Sequence, residues 1–274
     1  MNQHQPASYE PQEWQNRQYF VRIITNICRE LDITLTWFSD SWIARLQKGP
    51  LTHYVVGYVF PLNTTATGML MRDKAATATL LADAGVPVIA HHLLMLPRLR
   101  GTGNAVAQAQ QLAMLPFVVK PATGEGGFDV YKCTTQNEVQ NAVADLALRH
   151  RLLAVSPYIP ISREFRVVLL GTQPLLTFEK QRKPGEWRHN LHNGATPVQV
   201  TNTALAQKLH ALAKHALQAL QGRLAAVDIA ETPDGLKIIE INNGIALNYV
   251  ARSARHTTAA ADIYRRIIAT IFKL

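Results

Sequence analysis

Residues 224–242 read LAAVDIAETPDGLKIIEIN. Two apolar runs flank Pro233, Asp234 and Gly235, which are turn-forming residues, so the stretch predicts a β-hairpin. Asp228 lies on its first strand, and Glu240 and Asn242 on its second. Residues two apart on a strand share a face, so Glu240 and Asn242 point the same way. The hairpin then brings Asp228 across from them. Three hard oxygen donors on one sheet face suit Mg²⁺, which shares its shell with phosphate oxygens and water. The plainer reading is a set of exposed strand polars. Acids embedded in such apolar strands are nonetheless costly without a cation.

Three stretches upstream point to the same chemistry. KQRKPGEWRHNLHNGA (180–195) reads as a basic loop holding Lys180, Arg182, Lys183, Arg188 and His192 between Gly185 and Gly194. Such a loop either closes over negative oxygens or is a solvated basic surface. Arg188 and Asn190, a forked cation and an amide at alternate positions, are its sharpest pair. KPATGEGGFD (120–129) sets Lys120 at a strand end before Gly124, Gly126 and Gly127, where backbone N–H groups approach phosphate closely. It is neither a Walker A motif nor a GxGxxG opening a helix, and an unliganded glycine-rich hairpin is its plainer reading. In VSPYIPISREFRVV (155–168), the strand edge at Pro157, Tyr158 and Ile159 offers backbone groups to an adenine. Glu164 is placed to accept from a ribose hydroxyl and Arg166 to bind a terminal phosphate.

Between these stretches, strands and helices are mixed. Helices are expected over 15–31, from Asp73 to the stop at Gly85, over 104–115, over 134–150 with Glu138 completing a capping box, over 202–220, and over 260–274. Strands are expected at 32–38, 52–63, 116–120, 152–159, 163–171 and 173–181, the last two joined at Gly171. Several hairpins among helices argue for an α/β class with mixed α+β subdomains, not one continuous parallel sheet.

Composition bounds the partners. The chain has 274 residues, 47% of them hydrophobic, which suits an ordinary folded protein. Lys and Arg number 28 against 19 acids, for a net charge of +9. Nucleic acid is one polyanion that this excess would attract, and ATP or an acidic substrate is another. The positive residues are scattered and no basic run interleaves with aromatics, so nucleic acid is the weaker reading. No membrane partner is expected, because no apolar run reaches the roughly 18 residues of a span. No secretory leader is read at the start. Cys28 and Cys133 show no metal or redox spacing and read as buried thiols of a cytoplasmic protein.

The order of the pieces resembles the ATP-grasp superfamily, and within it the RimK-like carboxylate–amine ligases that include glutamate-adding enzymes. The resemblance runs from Asp73 to Leu247. It comprises a DK helix, a strand lysine with a glycine loop, a VxxYI hinge, an acid–x–Arg strand, an RxNLHxG loop and a D…ExN set. It implies two α+β subdomains sandwiching ATP behind a short N-terminal region. The boundaries expected are a flexible lead-in over 1–13, an N-terminal α/β region over 14–68, a first subdomain with the glycine lid over 69–154, and a second with the metal and phosphate site over 155–274.

The resemblance also implies roles. Lys74 and Lys120 bind ATP phosphates, and Gly124, Glu125, Gly126 and Gly127 form the lid. Pro157, Tyr158 and Ile159 hold the adenine and Glu164 the ribose. Arg166 and Arg188 stabilise the transferring phosphoryl group, and Asn190 positions phosphate or acyl phosphate. Asp228, Glu240 and Asn242 hold two Mg²⁺ ions, with Mn²⁺ as the substitute. Small-molecule or peptide carboxylates and amines are the expected partners, and a homo-oligomer is compatible with the reading. Within the same fold, a kinase acting on a hydroxyl is the alternative; outside it, a non-catalytic basic binding protein. The chain departs from the family pattern at Pro157, where a Glu is usual, at Glu125 and Asp129 in the glycine loop, and at NGIALNY (243–249).

Overall fold

In a computed structural model, which describes residues 11–96, 103–124, 126–248, 250 and 254–274, the 224–242 hairpin forms as the sequence predicts. The chain divides into two units: residues up to Leu62 with those from Gly244 onward, and Asn63–Asn243.

The first unit contains helices α1 (Pro11–Glu30) and α7 (Ala254–Phe272) and strands β1 (Thr34–Phe38), β2 (Ile43–Lys48) and β3 (Leu51–Val56). The strands form an antiparallel sheet in the order β1-β2-β3. Phe20 sits at its centre, edge-on to Trp37, Tyr58, Phe60 and Tyr264. Tyr264 hydroxyl donates to the Ile245 carbonyl and accepts from the Leu247 N–H. The lead-in expected over 1–13 is shortened, because residues 11–13 already belong to α1; residues 1–10 lie outside the described residues. The last helix, expected within the second subdomain, packs on α1 instead. Ile263, Tyr264, Ile267 and Ile268 on α7 bury the apolar face that requires this.

The second unit holds two antiparallel sheets. One is four-stranded, in the order β4-β7-β5-β6, from β4 (His92–Met95), β5 (Phe117–Pro121), β6 (Tyr131–Cys133) and β7 (Leu152–Pro157). Helices α4 (Gly103–Leu112) and α5 (Gln136–Ala147) cover it, enclosing Phe117, Val119, Val139, Val143, Leu153 and Val155. α5 starts with the expected capping box of Thr135 and Glu138. The other sheet is five-stranded, in the order β10-β9-β8-β11-β12, from β8 (Arg163–Leu170), β9 (Gln173–Gln181), β10 (Thr196–Gln199), β11 (Leu224–Thr232) and β12 (Gly235–Asn242). α6 (Thr203–Ala219) lays Leu209, Ala213, Ala216 and Leu217 on one face of it. Met71 of α2 (Thr65–Arg72) and Leu81 of α3 (Lys74–Asp83) join that same core, so the boundary expected at 69 does not follow the packing.

Cys28 and Cys133 are both free and buried, and burial pushes their thiols up to about 12 and about 11. Among the described residues no helix is long and apolar enough to cross a membrane.

Candidate active site

One face of the five-stranded sheet meets α6; the other carries charge. Register puts Arg166 of β8 opposite Asp228 of β11, and Asp228 opposite Glu240 of β12. Period-two spacing adds Glu164 and Asn242 to this face. A β-bulge follows, since Ile229 pairs with Ile238 and leaves Ile239 unpaired. The bulge lets Ile238 enter the core while Glu240, two residues on, faces the site.

Asp228 is almost wholly buried and both its oxygens are held. Arg166 grips them with Nε at 2.7 Å and a terminal nitrogen at 2.6 Å, and Lys180 Nζ lies 2.8 Å from Oδ2. Lys180 also reaches Glu164 Oε1 at 2.5 Å. Lys180, read both as the end of the 173–181 strand and as the start of the basic loop, lies on β9, buried between two carboxylates. The signal for this was the alternation of Phe178 and Lys180, both buried, with exposed Gln181. Such a bidentate arginine pair is among the stronger charge-assisted contacts.

Lys74 opens α3 next to Asp73, whose carboxylate caps the helix by accepting from Ala75 and Ala76 N–H. The Lys74 ammonium donates to the Gly124 carbonyl and stands 3.5 Å from Glu240. Burial opposes the charge on Glu240, yet Lys74, Lys120, Lys180 and Arg166 outweigh it and hold the carboxyl well below the usual carboxylate range. Lys120, on β5, has its ammonium lowered to about 8 by burial, with Glu240 pulling the other way. Cations thus surround the acids closely, and burial destabilises at least one of them.

The glycine loop follows Lys120. Gly126 and Gly127 take φ of +71° and +79°, which suits residues without Cβ. A Cβ on Gly127 would lie 2.6 Å from Asn190 Cγ, so the loop tip rests directly on the basic loop. Arg188 reinforces this contact, with NH1 3.4 Å from the Gly127 carbonyl. Its other terminal nitrogen pairs with Glu186 at 2.9 Å, and Arg188 holds the Glu186 carboxyl down to about 2. Phe128 and His192 rings lie 4.4 Å apart on the same seam. Glu125 lies outside the described residues. Asp129, an unexpected acid in this loop, turns outward onto Arg149 and His150.

These groups line one cleft that opens to solvent. Lys74, Lys120, Gly124, Gly126, Gly127, Arg188, Asn190, Asp228 and Glu240 form its charged end, and Pro157, Tyr158, Ile159 and Glu164 also border it. Arg166 reaches the cleft through Asp228, and Asn242 borders a smaller recess that shares Lys74, Gly124 and Glu240. Tyr158 and Trp187 rings meet edge-on at 5.9 Å. Among the titratable cleft residues, the sequence does not point to His91 and His189, each 3% exposed, each with Nδ1 against a backbone carbonyl and Nε2 buried without a partner. Isolated histidines in apolar or basic stretches carry no spacing that marks them.

Asp228, Glu240 and Asn242 fit a hard divalent cation by donor chemistry. The Asn242 amide lies 3.5 Å from Asp228 Oδ2 and 3.4 Å from Glu240 Oε1, and an amide oxygen turned to a cation completes an all-oxygen set. Among the described residues no three His, Cys, Asp or Glu side chains gather to hold a metal. A cation held by two carboxylates and an amide would keep positions for phosphate oxygens and water, the usual habit of Mg²⁺.

A protein of Serratia proteamaculans named probable alpha-L-glutamate ligase is 28% identical over 76% of this chain and 66% of its own length. A protein of the same name from Klebsiella pneumoniae is 27% identical over 77% and 67%. The chain thus spans about two thirds of the length of these relatives. Among solved structures, the D-alanine–D-alanine ligase of Coxiella burnetii superposes with a TM-score of 0.60, at 20% identity, over 77% of this chain and 58% of that one. The Bacillus anthracis enzyme complexed with ATP gives 0.59, at 15% identity, over 77% and 68%. The architecture is the ATP-grasp fold, and residues 71–271 match the RimK-like ATP-grasp domain. With most of its length inside that match, this chain belongs to the RimK-like ATP-grasp family.

Proposed function

We propose that the chain is an ATP-dependent carboxylate–amine ligase that forms an amide through an acyl phosphate and releases ADP and phosphate. The observation that carries this reading is a cleft in which Lys74 of α3, Lys120 of β5, Arg166 of β8 and Lys180 of β9 close on Asp228 and Glu240, with Arg188 of the 182–195 loop also lining it, beside an apolar strand edge. Family membership and the relatives named probable alpha-L-glutamate ligase support glutamate as one of the joined substrates.

In the first step the substrate carboxylate attacks the γ-phosphorus and the bond to the ADP oxygen breaks. In the second the amine attacks the acyl carbon, phosphate leaves, and the amine gives up a proton. Phosphoryl transfer asks mainly for alignment and for neutralisation of spreading charge. Lys74 and Lys120 hold the phosphates, and Arg188 reaches the transferring group from the loop that meets the glycine lid. Arg166 and Lys180 hold the Asp228 carboxylate in place. Gly124, Gly126 and Gly127 bring backbone N–H groups over the phosphates and exclude water. Asn190 locks the lid and orients an oxyanion. Asp228, Glu240 and Asn242 would hold Mg²⁺, or Mn²⁺, which when bound polarises the phosphoryl oxygens. Pro157 contributes its carbonyl to the base edge, since proline keeps its C=O while lacking an N–H. Two buried free thiols are compatible with a cytoplasmic setting.

The test is ADP release with ATP, glutamate and a panel of carboxylate acceptors, with hydroxylamine present in a second arm. A trapped hydroxamate supports the acyl phosphate. ADP release without a hydroxamate, together with a phosphorylated hydroxyl product, would make the chain a kinase. Arg188→Ala and Glu240→Ala are each expected to lower ADP release by about 10²–10³-fold with the fold intact.

A further inference from the structure

We propose that His91 reads the nucleotide base, its Nε2 accepting a hydrogen bond from the 6-amino group of adenine and so selecting ATP over 6-keto purine nucleotides. This rests on the reading of the cleft as an ATP site. His91 immediately precedes β4, whose first residue, His92, pairs with Val155 of β7. One step along that antiparallel ladder sets His91 level with Ser156, next to the Pro157–Ile159 edge. Ile89, Val118, Ile161 and Ile239 give the same cleft an apolar wall for a flat base, and Lys120 and Lys74 lie near enough to act on His91.

The tautomer follows from the partner. His91 Nδ1 lies 2.8 Å from the Ile89 carbonyl oxygen, which only accepts, so Nδ1 carries the hydrogen. In the neutral ring Nε2 is then a lone-pair acceptor. It is buried and has no partner, on a residue that lines the cleft, so a small shift of the ring or wall brings it to a ligand. A buried acceptor without a donor is a standing cost that a ligand N–H relieves. Burial, together with Lys120 nearby, lowers the imidazole pKa well below its usual value, so the ring stays neutral. An amino group satisfies such an acceptor. A keto oxygen in its place sets two lone pairs against each other. Specificity from a buried polar group left unpaired exceeds what apolar fit supplies.

Titration calorimetry of the full chain with ATP and with inosine triphosphate, which carries a 6-keto oxygen, tests this. In the wild type ATP binds at least about tenfold more tightly. In His91→Leu, ATP weakens by about tenfold while inosine triphosphate changes little, so discrimination collapses. His91→Gln, whose amide oxygen accepts, keeps part of the preference and controls for folding. Discrimination that survives in His91→Leu, or that is lost in His189→Leu instead, overturns the assignment while leaving the ATP site standing. Wild-type protein that binds neither nucleotide overturns the ATP reading and this inference with it.

Discussion

Without the ammonium of Lys180, Glu164 and Asp228 lose a shared cation in a place where water cannot replace it. Asp228 keeps Arg166, but Glu164 Oε1 loses its 2.5 Å partner. Breaking a buried pair from one side typically costs about 3 kcal/mol. Lys180→Met is therefore expected to lower unfolding stability by about that amount in urea titration, and Lys180→Arg to recover most of it. Unchanged stability in Lys180→Met would mean that the buried triad contributes nothing. Lys120 gives a different residue-scale prediction. Burial lowers its ammonium to about 8, below the ordinary lysine value of 10.5. The folded pKa lies under the unfolded one, so between these two values the unfolded chain binds a proton that the folded chain has shed. Stability therefore rises with pH across that window. ATP affinity moves the other way, because above pH 8 the free protein must take up a proton to present the charge. The expected loss approaches about tenfold per pH unit, read by calorimetry. Lys120→Arg should flatten the profile; a wild-type profile that is already flat contradicts the assignment.

At the scale of elements, the glycine loop and the basic loop act as one closed seam. Gly127 combines a positive φ with a missing Cβ that would strike Asn190. Gly171, in the β8–β9 turn, has a φ of +58° but open space around it. Alanine at either position adds about 1 kcal/mol of backbone strain. Only Gly127→Ala should also lift the lid, lowering ADP release by an expected ~10²-fold while Gly171→Ala keeps wild-type turnover. Equal turnover in both variants would show that the seam is not needed. The legibility of these elements in sequence follows their local chemistry. The β11–β12 hairpin was readable because Pro233, Asp234 and Gly235 mark its turn, and α5 because Thr135 and Glu138 mark its start. α2 was not, since Thr65, Thr67 and Gly68 weaken its first turn, and Gly68 serves a close approach to Asn243. β2 hid behind Arg45 and Lys48, whose charges break the apolar pattern although Ala44 and Leu46 are fully buried. β10, with Pro197 in a four-residue edge strand, shows almost none of the usual signal. The bulge at Ile239 defeats alternation outright, because Ile238 and Glu240 should share a face and do not. Motif spacing picked out the acids, arginines and glycines that gather at the cleft and named Lys180 in the basic loop, whereas His91 and His189 carried no spacing signal.

Across the whole molecule, each unit owns its core, and the candidate site lies wholly within Asn63–Asn243. The first unit depends on Phe20, fully buried among Trp37, Tyr58, Phe60 and Tyr264. Truncating such a side chain costs about 3–5 kcal/mol, and that loss belongs to the first unit alone. Ligand binding acts on the other. A ligand at a hundred times its Kd stabilises the unit it binds by about 2.7 kcal/mol. Hydrogen exchange read by mass spectrometry separates the two effects, because opening free energies are local. ATP is expected to slow exchange in peptides of 63–96, 103–124 and 126–243, the slowest-exchanging ones coming from β8 and β11. Peptides of 17–62 and 259–274 should keep their rates. Phe20→Ala should reverse the pattern, speeding exchange in α1, β1–β3 and α7 while ATP still protects the second unit. If ATP instead protects both units equally, and Phe20→Ala loosens both equally, the chain opens as one cooperative body and the division into two cores has no thermodynamic meaning.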